Sequence, residues 1–136
     1  MIVPDKKQST EAVARHYDML DRFYQEIWGD HVHHGYWATG AESSDEAALA
    51  LVELLAKRLS LRPGDEVCDI GCGYGATSEV IAARYGVRAT GVTVSYAQLE
   101  QAKTRAARNR ALTFAYRDWL ANDFADGQFD CVFSIE

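Results

Sequence analysis

The sequence has little of what marks a protein of membranes, secretion or nucleic acids. No apolar run approaches the roughly 20 residues that cross a bilayer, and the N-terminal segment has no signal-peptide core. Lysine and arginine total 14 residues against 20 aspartates and glutamates, a net charge of −6 at pH 7. We do not expect so acidic a chain to bind nucleic acid or an anionic membrane surface. We therefore predict a cytoplasmic protein without a membrane span.

Cysteine is scarce as well. The three cysteines, Cys68, Cys72 and Cys131, are an odd number, and two of them stand among apolar strand residues. This pattern fits buried thiols in a reducing compartment. Cys68 and Cys72 are spaced wrongly for a zinc knuckle, so we predict no metal there. The other proportions, 48% apolar and 25% charged over 136 residues, are typical of one modest globular domain with a core.

Two helices and a long loop are predicted in the first half of the chain. Apolar residues recur at three- and four-residue steps over 10–28, which predicts an amphipathic helix with Thr10 as its cap. A second helix is predicted over 44–59. The loop between them, 29–40, is rich in histidine and aromatic residues and is named the lid loop. Residues 1–9 are polar and are predicted to be a disordered tail.

After Pro63 the pattern changes to strands that alternate with helices, which predicts βαβ units and a parallel sheet. We therefore divide the chain into a helical cap with a lid loop, 10–62, and a ligand-binding part, 63–136. The fourth strand would leave one sheet edge unprotected, so we expect a fragment truncated after that strand. The predicted strands are 66–70, 88–94, 112–117 and 129–134, with helices at 76–85 and 96–109.

A glycine-rich turn after the first strand carries the strongest functional signal. An apolar run ends at three alternating glycines, Gly71, Gly73 and Gly75, and helix-forming residues follow. Such glycines let bare backbone amides reach a ligand at a helix N-terminus. Asp69, just before them, would repel a pyrophosphate but attract an ammonium or a sulfonium. The turn therefore predicts a nucleotide-like ligand with a cationic end.

Two other interpretations of this turn are open. The segment 71–76 fits the dinucleotide pattern G-x-G-x-x-G/A. A nicotinamide or flavin enzyme, however, needs an acidic residue at the end of the second strand, and the segment 91–95 has none. An NAD(P)-dependent oxidoreductase is therefore the weaker alternative. The other is a tight turn that binds no ligand.

Four segments, in collinear order over roughly residues 12–136, resemble one enzyme family. The turn over 69–75 resembles the first motif of class I S-adenosylmethionine-dependent methyltransferases. The tip of the second strand, with Thr93 and Gln98, is similar to the branch that contains tocopherol and other small-molecule methyltransferases and cyclopropane-fatty-acid synthases. The other two segments are 17–36 and 126–136.

The resemblance implies a Rossmann-like α/β fold in which the parallel strands have the order 3-2-1-4 under the helical cap. It also implies S-adenosylmethionine as the cofactor. Asp69 would hold the ammonium, directly or through water. Asp118 and Trp119 would bind the adenine, although they also fit a helix cap and a core side chain. The residues implied to bind the cofactor are Asp69, Gly71, Gly73, Gly75, Thr93, Gln98, Asp118 and Trp119.

The lid loop and the first helix are implied to border the site of a small, partly apolar acceptor, methylated on oxygen, nitrogen or carbon. A phenol or carbon acceptor benefits from a base such as histidine, whereas an aligned amine needs none. The cluster of His31, His33 and His34 could instead suggest a metal, but no thiolate stands nearby, and we predict none. A fragment that binds the cofactor without turnover is the alternative. The catalytic candidates are His33, His34 and Glu136, and the predicted pocket residues are Tyr17, Tyr24, Tyr36 and Trp37.

Overall fold

The computed structural model describes residues 8–135. Helix α1 spans Thr10–Trp28, as the apolar periodicity predicts, but its cap is Ser9 and not Thr10. Ser9 has the extended backbone of a cap residue (φ −85°, ψ 153°), and its side chain accepts a hydrogen bond from the amide of Ala12. Residues 1–7 of the predicted tail lie outside the described range.

Helix α2, Ser44–Leu59, begins with a capping box. The Ser43 side chain accepts from the amide of Glu46, and the Glu46 carboxylate accepts from the amide of Ser43. Negative charge in this first turn also suits the positive end of the helix dipole. Ala47 and Val52 are both fully buried, so one face of α2 is covered by the rest of the chain.

The described residues form one parallel sheet with the order β3-β2-β1-β4, which confirms the predicted topology. Helix α3 connects β1 to β2, and helix α4 connects β2 to β3. The chain then crosses back to the far side of β1 to form β4. The bounds are Glu66–Ile70 for β1, Ala76–Tyr85 for α3, Arg88–Thr93 for β2, Tyr96–Ala106 for α4, Leu112–Tyr116 for β3 and Cys131–Phe133 for β4.

Four elements are shorter than predicted: strands β2 and β3 each end one residue early, and helix α4 and strand β4 are each three residues shorter. Helix α4 ends at Ala106 because the amide of Arg108 donates to the carbonyl of Arg105 at 3.0 Å, a three-residue closure that tightens the last turn. Strand β4 begins at Cys131. Just before it, the Asp130 carboxylate accepts from the amide of Glu66 at 2.8 Å, in place of a backbone carbonyl.

The core lies between the sheet and its helices, with Val67, Ile81 and Val87 exposed by 1% or less. Because the strand order reverses between β1 and β4, a crevice forms at their carboxyl ends, where open α/β sheets bind ligands. No helix within residues 8–135 is both long and apolar enough to cross a membrane.

Candidate functional site

A cavity of about 520 Å³ lies at the carboxyl ends of β1 and β2, beside α1. Its walls come from α1 and the lid loop, the glycine turn, the tip of β2 and the segment after β3. Small-molecule sites typically enclose about 300–1,000 Å³. Ten of the predicted site residues line this cavity: Tyr17, Tyr24, His33, His34, Gly71, Gly73, Thr93, Gln98, Asp118 and Trp119.

The glycine turn presents its backbone to the cavity. The amides of Gly71 and Cys72 both donate to the carbonyl oxygen of Val92, at 2.9 and 3.0 Å, which fixes the turn against the tip of β2. Gly71 and Gly73 have φ angles of +72° and +54°, and a Cβ on either would meet no atom within 4 Å. This left-handed backbone with open space beside it allows a ligand to approach closely.

Gly75 has a different place in the turn, since it does not line the cavity. It is the N-cap residue of α3, with φ +78°. A Cβ on Gly75 would lie 2.5 Å from the ring of Phe114 on β3. The third glycine is therefore required for the seating of α3 on the sheet.

Asp69 is buried behind the glycine turn and only 3% exposed. The Ser78 hydroxyl donates to its Oδ2 at 2.7 Å. Burial raises the pKa of this carboxyl to about 6, although the Ser78 hydrogen bond opposes the rise. Asp69 borders a second cavity of about 20 Å³, which shares Gly71 and Gly73 with the larger one. That volume has room for one water molecule.

Thr93 and Gln98 are joined at the tip of β2. The Thr93 hydroxyl donates to Oε1 of Gln98 at 2.9 Å and accepts from the amide of Ser95 at 3.1 Å. Both side chains are buried and line the large cavity. Within residues 8–135 no group accepts from the side-chain nitrogen Nε2 of Gln98, so this donor is available to a ligand.

Asp118 is both a cap and a cavity residue. Its Oδ1 accepts from the amide of Leu120 at 2.9 Å and its Oδ2 from the Thr10 hydroxyl at 2.6 Å. These hydrogen bonds, that of Thr10 foremost, lower the pKa of the carboxyl. Asp118 thereby caps the short 3-10 turn Trp119–Ala121 that follows β3 and joins it to the start of α1, while Trp119 lines the cavity beside it.

Two carboxylates that the sequence analysis missed hold α1 over the site. The Ser95 hydroxyl and the amide of Ala97 both donate to Oδ1 of Asp18, at 2.5 and 3.2 Å, at the start of α4. The buried Tyr74 hydroxyl donates to Oδ1 of Asp21 at 2.8 Å. The signal in the sequence was the three-residue spacing of these acids, which places them on one helix face.

Arg105, on α4, binds the beginning of the lid loop. Its Nη2 lies 2.9 Å from Oδ1 of Asp30, and its Nε donates to the carbonyl of Tyr74 at 2.9 Å. Its other terminal nitrogen pairs with Glu79 on α3. One half-buried side chain thus links the lid loop, the glycine turn and two helices.

The lid loop also contacts α3 through its histidines. Nε2 of His33 lies 3.1 Å from the Thr77 hydroxyl, and Nδ1 of His31 lies 3.4 Å from the same oxygen. Nδ1 of His33 lies 2.8 Å from the backbone oxygen of His34. Burial lowers the pKa of His31. Among residues 8–135, no group of three or more His, Cys, Asp or Glu could hold a metal ion.

Tyr36 and Trp37, predicted for the acceptor pocket, lie outside the cavity lining. The amide of Tyr36 donates to the carbonyl of Ala47 at 2.8 Å, and both aromatic side chains are about half exposed. The cause is the close packing of Gly35 on α2, where a Cβ would lie 2.5 Å from the Ala47 side chain. Glu136, the third catalytic candidate, lies outside the described residues.

The chain is similar in sequence to known enzymes. A family model described as mycolic acid cyclopropane synthetase matches residues 4–136. The 27-O-demethylrifamycin SV methyltransferase of Amycolatopsis mediterranei (strain S699) is 33% identical over 133 residues, with 96% of this chain and 49% of that protein covered.

Two solved structures share the fold. The [4+2]-cyclase SpnF superposes with a TM-score of 0.86 at 29% identity, over 92% of this chain and 48% of that one. Mycolic acid cyclopropane synthase CmaA1, complexed with SAH and CTAB, gives a TM-score of 0.84 at 26% identity, over 97% of this chain and 47% of that one. The chain therefore spans about half the length of these relatives.

Proposed function

Because the chain belongs to the mycolic acid cyclopropane synthetase family of class I S-adenosylmethionine-dependent methyltransferases, we propose that the protein transfers a methyl group from S-adenosylmethionine to a small, partly apolar acceptor. The observation that carries the proposal is the large cavity at the sheet's carboxyl edge, where two open glycines, a buried amide and a carboxylate next to an indole converge. A dinucleotide site would need a carboxylate at the tip of β2, where Thr93 stands.

The groups around the cavity fit the parts of S-adenosylmethionine. The backbone of Gly71 and Gly73 would lie along its methionine portion. The side-chain nitrogen Nε2 of Gln98, fixed through the bond of Thr93 to Oε1, would donate to a ribose hydroxyl. Each oxygen of Asp118 accepts one hydrogen bond in the structure and keeps a lone pair for the exocyclic amine of adenine.

The ammonium end of S-adenosylmethionine would be bound by Asp69. Its carboxylate is separated from the large cavity by the glycine turn, and the small cavity beside it has room for one water molecule. A water there would accept from the ammonium and donate to Asp69. This arrangement uses the buried charge without direct contact.

S-adenosylmethionine supplies a methyl group that is already activated by its positive sulfur. The protein's own residues therefore have to orient the acceptor, exclude water and, for a hydroxyl acceptor, take up its proton. Tyr17, Tyr24 and Trp28 of α1 line the cavity and favour an apolar or aromatic acceptor. The related rifamycin enzyme is named for a methylated oxygen.

Isothermal titration tests the proposal with S-adenosylmethionine, S-adenosylhomocysteine and NADH as separate ligands. We expect the two sulfur compounds to bind and NADH not to bind. Asp69→Asn should weaken binding by about tenfold or more, since hydrogen bonds to charged groups contribute ~1.5–3 kcal/mol. Asp65→Asn, at the opposite end of β1, is the matched control and should bind normally. NADH binding without binding of the sulfur compounds would refute the proposal.

A turnover assay over oxygen, nitrogen and carbon acceptors then separates transfer from binding alone. The likeness to SpnF, a protein named as a cyclase, makes this separation necessary, because one fold supports different chemistries. S-adenosylhomocysteine formed together with a methylated acceptor would support transfer. Cofactor binding without any methylated product would favour a chain that only binds the cofactor.

We also propose a cellular location and a class of partner for the protein. Its cysteines are free thiols, which supports a reducing, cytoplasmic location. The net charge of −6 supports a small molecule, and not nucleic acid, as the main partner.

A further inference from the structure

The two candidate histidines of the lid loop differ in what their rings are free to do. A backbone carbonyl can only accept a hydrogen bond, so Nδ1 of His33, 2.8 Å from the carbonyl oxygen of His34, must carry a proton. In the neutral ring, Nε2 is then the acceptor, and the Thr77 hydroxyl at 3.1 Å donates to it. Both nitrogens of His33 are therefore occupied.

Thr77 fixes the direction of the whole chain of hydrogen bonds. Its single hydroxyl proton is donated to His33, so Nδ1 of His31, 3.4 Å away, must donate to the Thr77 oxygen. Thr77 is 7% exposed and lies in the first turn of α3, directly after the glycine turn. The lid loop is thus fastened beside the backbone that would contact the cofactor.

The ring of His34 has no such hydrogen-bond partner among residues 8–135. It lines the large cavity and packs edge-on against Trp28, with 5.8 Å between the ring centroids. Within the described range, no side chain or backbone group forms a hydrogen bond with either of its ring nitrogens. The carbonyl oxygen of the same residue accepts from His33, so the backbone of His34 is fixed while its imidazole forms no hydrogen bond with residues 8–135.

We propose that Thr77 is a positioning residue that fastens the lid loop through His33, and that His34 is the residue that takes the proton of a hydroxyl acceptor. The proposal rests on the methyltransferase function above. The proton leaves the acceptor oxygen, moves to the unprotonated nitrogen of the His34 ring, and passes to solvent through the exposed side of that ring. His33 cannot do this, because its only lone pair is engaged by Thr77.

Nitrogen NMR of the histidine rings tests whether Thr77 fastens the lid loop through His33. The spectra are recorded without ligand, at a pH where the rings are neutral. Spectra of His33→Asn and His34→Asn assign the signals. We expect His33 to carry its proton on Nδ1. Thr77→Val should shift the Nε2 signal of His33, whereas Thr77→Ser, which keeps the hydroxyl, should restore it. A proton on Nε2 of His33, or no effect of Thr77→Val, would overturn this part.

The role of His34 is tested by adding 4-methylphenol to the protein saturated with S-adenosylhomocysteine. We expect the His34 ring signals to shift and those of His33 to stay. In turnover with a phenol, His34→Asn should lower kcat by about 100-fold or more. It should leave the affinity for S-adenosylhomocysteine within about twofold. Thr77→Val should instead weaken that affinity about fivefold, because ligand binding must then order a lid loop that the Thr77–His33 hydrogen bond fastens in the wild type.

The outcomes distinguish a failure of the proposed methyltransferase function from a failure of the role proposed for His34. If the wild-type chain does not bind S-adenosylhomocysteine, the proposed function fails, while the ligand-free spectra still decide the fastening. If it binds, and the phenol shifts His33 or neither ring, the role of His34 is refuted. An unchanged kcat in His34→Asn would refute it as well.

Discussion

Replacing Asp69 by asparagine should stabilise the ligand-free fold and weaken cofactor binding at the same time. The carboxyl is 3% exposed, and burial raises its pKa from 3.8 to about 6. A difference of this size corresponds to about 3 kcal/mol between the two protonation states. An ionised Asp69 therefore costs the folded state about 3 kcal/mol at neutral pH, and asparagine carries no such charge.

The sign of the pH dependence follows from the raised pKa. The folded state holds this proton more tightly than the unfolded chain does. The stabilisation from protonated Asp69 is therefore fully present below about pH 4 and lost as the pH rises through about 6. The free energy of unfolding of the wild type, measured relative to Asp69→Asn, should fall by about 3 kcal/mol in total, most of it between about pH 4 and pH 6.

Urea unfolding at a series of pH values measures this difference directly. Ser78→Ala provides the control, because it removes a hydrogen bond that stabilises the ionised carboxylate. In that variant the pKa of Asp69 should rise further and the loss of stability should extend to higher pH. A constant difference between wild type and Asp69→Asn from pH 4 to pH 8 would refute the reasoning.

Three further predictions concern the glycine turn, the start of α2 and the cofactor. Gly75→Ala should lower the free energy of unfolding by about 2–4 kcal/mol, because left-handed backbone strain adds to a clash with Phe114. Gly64→Ala, with φ +92° but open space, should show only the strain term in the same denaturation assay. Ser43→Ala should cost about 1 kcal/mol through loss of the cap, and an unchanged midpoint would contradict that role. Affinity for S-adenosylhomocysteine should decrease as the pH falls below about 6, the pKa of Asp69, and a flat calorimetric series would contradict the ammonium site.

The sheet could be predicted because its signals are local. Strand β1 and helix α3 have the predicted bounds, since an apolar run, a glycine turn and a terminal glycine mark them within 20 residues of sequence, as Gly86 does for the end of α3. The strand order required the family resemblance together with the right-handed crossover rule. The cap of α1 was wrong by one residue because Ser9 and Thr10 are both good caps, and only backbone angles distinguish them.

The acceptor side of the site depends on contacts that a local pattern does not contain. Tyr36 and Trp37 do not line the cavity, because Gly35 beside them packs against Ala47. The difference between His33 and His34 depends on Thr77, which is 44 positions away from His33 in sequence. Hydrogen-bond partners at such distances are set by the fold, so residue type alone made both histidines candidates and could not distinguish their hydrogen bonding.

The contacts that hold α1 have a consequence for the order in which the molecule assembles. Thr10, Asp18 and Asp21 bond to residues 108, 77 and 53 positions further along the chain. Closing such long loops costs entropy that only a preformed sheet can offset. We therefore expect α1 to dock last during folding and to detach first, so that its amides exchange with solvent sooner than those of β1 and β2. A ligand could then enter and leave the large cavity when α1 detaches, while the sheet stays folded.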